Sequence, residues 1–160
     1  MSAKRVRTSG MAAAGALIAI GMSIGIGRAA TMPIDDTGTV TLQPTVNMRW
    51  QELSPRRRAS TLMEGTTQLR VRLNLRPWVG HNGRIYMVLP AQLPGNIEAA
   101  WTTTGRLQPG RVRVGGRTQV YAGPVTTAVL EDTLTLTLTV DGTQMRQPYN
   151  LLFRFEIDED

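Results

Sequence analysis

Cysteine is absent from the chain, lysine occurs once (Lys4) and histidine once (His81). Without cysteine there is no disulfide, no thiolate metal site and no thiol nucleophile, so an exported domain of this sequence has to be held by its core. A single histidine cannot build a histidine-rich metal site. Beyond residue 30 the only serines are Ser54 and Ser60, near Arg56-Arg57-Arg58, and the one histidine sits beside the Asn82-Gly83 turn, which argues against a Ser-His-Asp triad. The dense acid pairs are Asp35-Asp36, Glu131-Asp132 and the terminal Glu156, Asp158, Glu159 and Asp160. Strand neighbours point to opposite faces, so these do not form a facing carboxylate pair. No cofactor motif is present: the glycine-rich stretch from Gly105 to Arg117 lacks the Gly-Lys-Ser/Thr ending of a phosphate loop, contains Pro109 and opens no helix. The chain reads as non-enzymatic.

One long apolar run exists, and it is N-terminal. Lys4, Arg5 and Arg7 precede an uncharged segment from Met11 to Ile26, and Gly27-Arg28-Ala29-Ala30 follows with small residues. That is the layout of a secretory signal peptide, with cleavage after Ala29 placing Gly27 and Ala29 at the two small-residue positions. As a helix, the run spans about 24 Å, short of the roughly 30 Å hydrocarbon core, and its glycines weaken a stable span. The expected organisation is 1–29 signal peptide, 30–38 flexible lead and 39–160 a single domain, in the periplasm or at the surface of a bacterium. Membrane contact is expected only through an uncleaved leader. The net charge of +6 falls to +2 once Lys4, Arg5, Arg7 and Arg28 are removed, so nucleic acid is not an expected partner.

Past the leader the dominant signal is period two. Val40, Leu42, Pro44, Val46, Met48 and Trp50 alternate with polar residues, and Pro44 predicts an edge strand or a bend that splits the segment. Leu69, Val71, Leu73 and Leu75 alternate with Arg70, Arg72, Asn74 and Arg76; Leu134 to Val140 alternates with Thr133 to Thr139; Tyr149 to Ile157 alternates around Arg154 and Glu156. Ile85 to Leu89 has no polar face and predicts a central, doubly covered strand. Ile97 to Trp101, Val112 to Val114 and Thr118 to Ala122 predict shorter strands. Asn82-Gly83, Asp141-Gly142 and Gly115-Gly116 predict hairpin turns. Gln51 to Gly65 reads as a loop with at most a turn or two of helix.

About seven to nine strands without a helical pattern predict an all-β fold, a single antiparallel, immunoglobulin-like β-sandwich; a barrel is the alternative. The expected core is Val46, Met48, Leu69, Val71, Leu73, Ile85, Met87, Trp101, Val120, Leu136, Leu138, Phe153 and Phe155. Arg70 and Arg72 share one strand face, as do Arg111 and Arg113; if adjacent, the two pairs form an anion-contact stripe for an envelope polymer, and otherwise they are the outward residues of solvated strands.

With alternating segments near both ends, candidate strand-exchange residues are Val40, Leu42, Val46, Met48, Phe153 and Phe155. In its leader, its one sandwich domain and these segments the chain resembles fimbrial (pilus) subunits of the chaperone and usher route, differing in having no disulfide and no glycine ahead of the last strand. The resemblance implies a structural or adhesive subunit that pairs strands with itself or a periplasmic chaperone. The alternative is a monomeric periplasmic accessory protein, chaperone-like or ligand-binding, with the arginine faces or Trp78, Tyr86 and Trp101 at its contact site.

Overall fold

The computed structural model describes residues 30–43, 45–51, 61–91, 96–144 and 151–159. The proposed leader therefore lies outside the described residues, as do Pro44, Ser54, Ser60 and Tyr149. The described chain is all-β, with ten strands: β1 (Thr31–Pro33), β2 (Val40–Thr41), β3 (Arg49–Trp50), β4 (Leu62–Asn74), β5 (Asn82–Val88), β6 (Ile97–Thr103), β7 (Gly110–Arg113), β8 (Arg117–Pro124), β9 (Val129–Asp141) and β10 (Arg154–Glu159). They form two antiparallel sheets, a four-stranded one in the order β1-β10-β5-β8 and a six-stranded one in the order β2-β4-β9-β6-β7, with β3 also on β4.

Alternation explains the long strands. On β4 and β9 every second residue from Leu69 to Leu73 and from Leu130 to Val140 is buried, and the two strands pair without interruption from Leu62 opposite Asp141 to Asn74 opposite Val129. The buried residues of both sheets form one core that includes Leu73, Ile85, Met87, Trp101, Leu136 and Phe155. Ten of the thirteen expected core residues are buried, while Val46, Met48 and Phe153 are half-buried against that core. Ile34, Leu107 and Val125 are buried outside the strands, where no period marks them, and Leu75 and Leu89, the last residues of their apolar runs, are buried as well.

The expected hairpins do not form among the described residues. Asn82 and Gly83 lie inside β5, and among the described residues the positive φ angles are at Gly80, Gly115 and Gly123. The reason is topological: β4 and β5 belong to different sheets, so the intervening 3-10 turn Arg76–Trp78 carries the chain across the core with Trp78 buried beneath it. Gly115 does turn the chain at φ 76°, yet β7 and β8 on either side enter different sheets. After Asp141 comes a 3-10 turn, Gly142–Gln144, in which the Asp141 carboxylate accepts from the Thr143 amide and hydroxyl. The run from Ile85 is internal as expected, but its second face is only half-buried.

The largest departure is at the N-terminal end. Where a flexible lead is expected, Thr31–Pro33 pairs with β10 and Ile34 is buried, its amide donating to the Phe155 carbonyl at 2.9 Å. The segment from Val40 to Trp50, expected as an edge strand or one split by a bend, forms two short strands on the outer edge of β4. Seven residues (42–48) separate β2 from β3, whereas four (65–68) separate their partners Leu69 and Glu64, an excess of three. Three extra residues on one side of a ladder cannot stay in register and bulge away.

Candidate functional site

Residues 31–51 run along an edge of each sheet in turn. After β1 and Ile34, Asp35 bridges to Asn74 at the end of β4, with the Asn74 amide donating to the Asp35 carbonyl at 3.0 Å. Thr39 then exchanges bonds with the backbone of Arg72, the Leu42 amide donates to Gln68, and the Gln51 amide donates to Leu62. This segment therefore straps the four-stranded sheet to the six-stranded one. The bulged part turns Val46 and Met48 inward over Gly65, where a Cβ would sit 2.6 Å from both Met48 Sδ and Val46 Cγ1. Its ends turn outward instead: Val40, Leu42 and Trp50 are 48%, 41% and 56% exposed, so three residues expected to face inward face solvent.

The strap's first residue is held by a charge cluster on the outer face of the four-stranded sheet. Thr31 Oγ1 donates to Asp158 Oδ1 at 2.6 Å. Arg117 donates to both oxygens of the same carboxylate, at 3.3 and 2.8 Å, and lies 4.1 Å from the centre of the Tyr86 ring. The Thr31 hydroxyl and then Arg117 hold the Asp158 carboxyl below the usual carboxylate range. Bidentate geometry, a buried carboxylate and an aromatic face beneath the guanidinium make this the best-organised ion pair described. Nearby, the Thr37 hydroxyl and amide hold Asp35 below its ordinary value, while burial pushes Asp36 up. In sequence Asp158 is one of four terminal acids; only the strand pairing places it beside Thr31 and Arg117.

The six candidate strand-exchange residues divide by place. Val40, Leu42, Val46 and Met48 belong to the strap. Phe155 is on β10, an inner strand between β1 and β5, and Phe153 just precedes it, so the C-terminal segment is paired on both sides within its own chain. The strap and β10 nonetheless meet, through β1 and around a groove of about 240 Å³ lined by Asp36, Thr39, Leu69, Leu151, Leu152 and Phe153.

The four arginines are not brought together. Arg70 and Arg72 are on β4 and Arg111 and Arg113 on β7, with β9 and β6 between, a lateral separation of about 14 Å at ~4.8 Å per strand. Arg111 is level with Ala100, Thr137 and Thr66, four residues along β4 from Arg70, so the pairs lie about 20 Å apart. Two have neighbouring acids: Arg72 meets Glu131 at 3.4 Å and Arg113 meets Glu98 at 2.7 Å. Of the aromatics considered for a contact site, Trp78 and Trp101 are core residues, with Trp101 Nε1 donating to the Gln108 carbonyl, whereas Tyr86 is half-buried beneath Arg117.

Two further polar contacts are described. Asp132 is buried and accepts from Thr103 Oγ1, the Leu107 amide and the Thr133 amide, tying the 104–109 loop to β9. His81 Nδ1 lies 2.7 Å from Glu159 at the surface. Among the described residues no group of three or more His, Asp or Glu could hold a metal ion, and no helix is long and apolar enough to cross a membrane. No family model matches the chain, and neither the curated proteins nor the solved structures contain a significant match to it.

Proposed function

We propose that the chain is an exported, non-enzymatic, immunoglobulin-like β-sandwich protein of a bacterial envelope, a structural or adhesive subunit that joins neighbours by exchanging its N-terminal edge segment. The observation that carries this reading is the strap: residues 31–51 cover edges of both β10 and β4 through short, interrupted pairings and leave Val40, Leu42 and Trp50 exposed. A segment of this kind can leave its seat without dismantling the β4–β9 ladder, and the seat it leaves accepts the same segment of a second copy or a strand of a periplasmic chaperone. The candidate residues narrow accordingly to Val40, Leu42, Val46 and Met48 as donor, with the β10 edge beside Phe155 as part of the seat.

The test is truncation. Protein lacking residues 1–46 should remain a folded monomer and bind a synthetic peptide of residues 31–46 in trans, read by fluorescence anisotropy. A truncation that unfolds irreversibly and never takes the peptide overturns strand exchange. The second reading, a monomeric periplasmic accessory protein, is favoured by β10 being paired on both sides within its own chain. It predicts a single sedimenting species at every concentration and no peptide uptake.

A further inference from the structure

We infer that Met48 is an oxidation site whose sulfoxide unseats the bulged part of the strap from β4. The loosening is a property of one folded chain; its use, releasing the strap to a neighbour, rests on the strand-exchange proposal.

Hydrogen bonds hold the bulge at its two ends. The Leu42 amide donates to the Gln68 carbonyl at 2.9 Å and the Thr67 hydroxyl to the Gln43 carbonyl at 3.2 Å, and strand pairing resumes at Arg49 opposite Glu64. Between these points side chains make the seat: Val46 and Met48, both half-buried against the core, close over Gly65. Met48 Sδ lies 2.6 Å from where a Cβ on Gly65 would stand, so the sulfur fills space that only glycine leaves open on β4. Other methionines mark the limits of access, with Met32 on β1 38% exposed and Met87 in the core 0% exposed. Met48, half-buried, lies between them, within reach of a small oxidant and tightly enough packed for its product to matter. Hydrogen peroxide supplies the oxygen: the sulfur lone pair attacks one peroxide oxygen, the S–O bond forms as the O–O bond breaks, and the hydroxide that leaves takes the remaining proton to become water. Sulfur is oxidised and the peroxide reduced. The sulfoxide oxygen then needs a donor. Val46 Cγ1 is apolar and the Asn47 carbonyl oxygen, 3.0 Å from the same Cβ position, is an acceptor, so neither satisfies it. Lifting the bulge turns the sulfoxide to water, and the pairing of Gly65 with Leu138 on the opposite edge of β4 does not resist that movement.

The experiment treats the full chain with hydrogen peroxide, locates sulfoxides by peptide mass and follows amide hydrogen exchange. Met48 should be oxidised before Met87, and exchange over residues 42–51 should quicken by about ten-fold or more as Met48 sulfoxide accumulates, with β9 unchanged. Methionine sulfoxide reductases acting on both epimers should restore the slow exchange. Met48→Leu, close in volume and inert to peroxide, should keep slow exchange under the same treatment even though Met32 is still oxidised. A Met48 no more reactive than Met87 overturns the inference, as does a Met48 sulfoxide that leaves exchange over 42–51 unchanged. A response that persists in Met48→Leu overturns it as well, since the sensitive methionine is then another. Strand exchange fails separately: an oxidised chain that loosens over 42–51 yet never binds a labelled peptide of residues 31–46 supports the oxidation site and counts against exchange.

Discussion

β9 and the segment from Val40 to Trp50 have the same period in sequence but different fates. β9 lies between β4 and β6, so both of its edges are paired and its alternate residues have a core to enter. The other segment has β4 on one side and nothing described on the other, and its three-residue excess over β4 releases the ladder in the middle. Alternation therefore reports which residues can be buried; two paired edges and a matched residue count decide which ones are. The most extensively paired part of the fold is the β4–β9 ladder, and the least is the strap, held by short, interrupted pairings.

The sharpest test sets one residue from each region side by side. Leu136→Ala, at a position 1% exposed on β9, should cost about 2–5 kcal/mol in urea unfolding, since it leaves a cavity in a core that cannot collapse around it. Val40→Ala, on the strap and 48% exposed, should cost under about 0.5 kcal/mol. Equal losses at the two sites would mean that the strap is an integral core strand, contrary to the strand-exchange proposal.

Next in size is Gly65→Ala. The added methyl meets Val46 and Met48 and lies 3.0 Å from the Asn47 carbonyl oxygen, so the bulged part of the strap has to lift. The expected loss is about 1–3 kcal/mol. Hydrogen exchange should show where it falls, with faster exchange over 42–51 and unchanged protection in β9. Combining it with Met48→Ala, which vacates part of the space, should recover some of the loss; no recovery would place the strain in β4 itself.

A smaller effect separates the strap's two anchors by pH. A carboxyl whose folded pKa is lowered contributes stability that is complete above its unfolded pKa and is lost as pH falls through the folded one. Asp158 and Asp35 are both of this kind, so their contributions are present at about pH 6 and fade below about pH 4. Asp36 has the opposite sign, because burial penalises its charged form and acid relieves it. The strap should therefore loosen in acid through Asp158 and Asp35. Asp158→Asn should lower the urea midpoint at about pH 6 and narrow the difference between about pH 6 and about pH 3. An unchanged difference would assign the acid response to groups away from β1.

Most of the architecture was legible because burial writes a period into a strand. Leu69, Val71, Leu73, Leu134, Leu136 and Leu138 declare their inward face, and all are buried. Turn chemistry was less informative: Asn-Gly and Gly-Gly describe a local backbone preference, but nothing in a dipeptide says whether the next strand returns to the same sheet. β1 was unreadable because Thr31-Met32-Pro33 is too short to show a period, and Pro33 is tolerated there only because β1 is an edge. The strap's candidate residues were named from sequence, whereas its anchor was not, since Thr31, Arg117 and Asp158 are far apart in the chain and meet only through two strand pairings.

The smallest expected effect tests whether surface charge contributes to the ladder at all. Arg72 meets Glu131 across β4 and β9 at 3.4 Å, but the two side chains are 59% and 63% exposed, and pairs of that kind are typically worth ~0–1 kcal/mol. Its aliphatic stem also lies over Gly38, while Thr39 bonds to its backbone, which any substitution keeps. Arg72→Ala should therefore cost about 0.5 kcal/mol or less, partly through lost cover of the strap and independently of salt. A loss that shrinks at high salt would credit the ion pair. A loss above about 1 kcal/mol that ignores salt would mean that Arg72 clamps Gly38 to β4, tying the strap to the ladder more tightly than its few backbone pairings do.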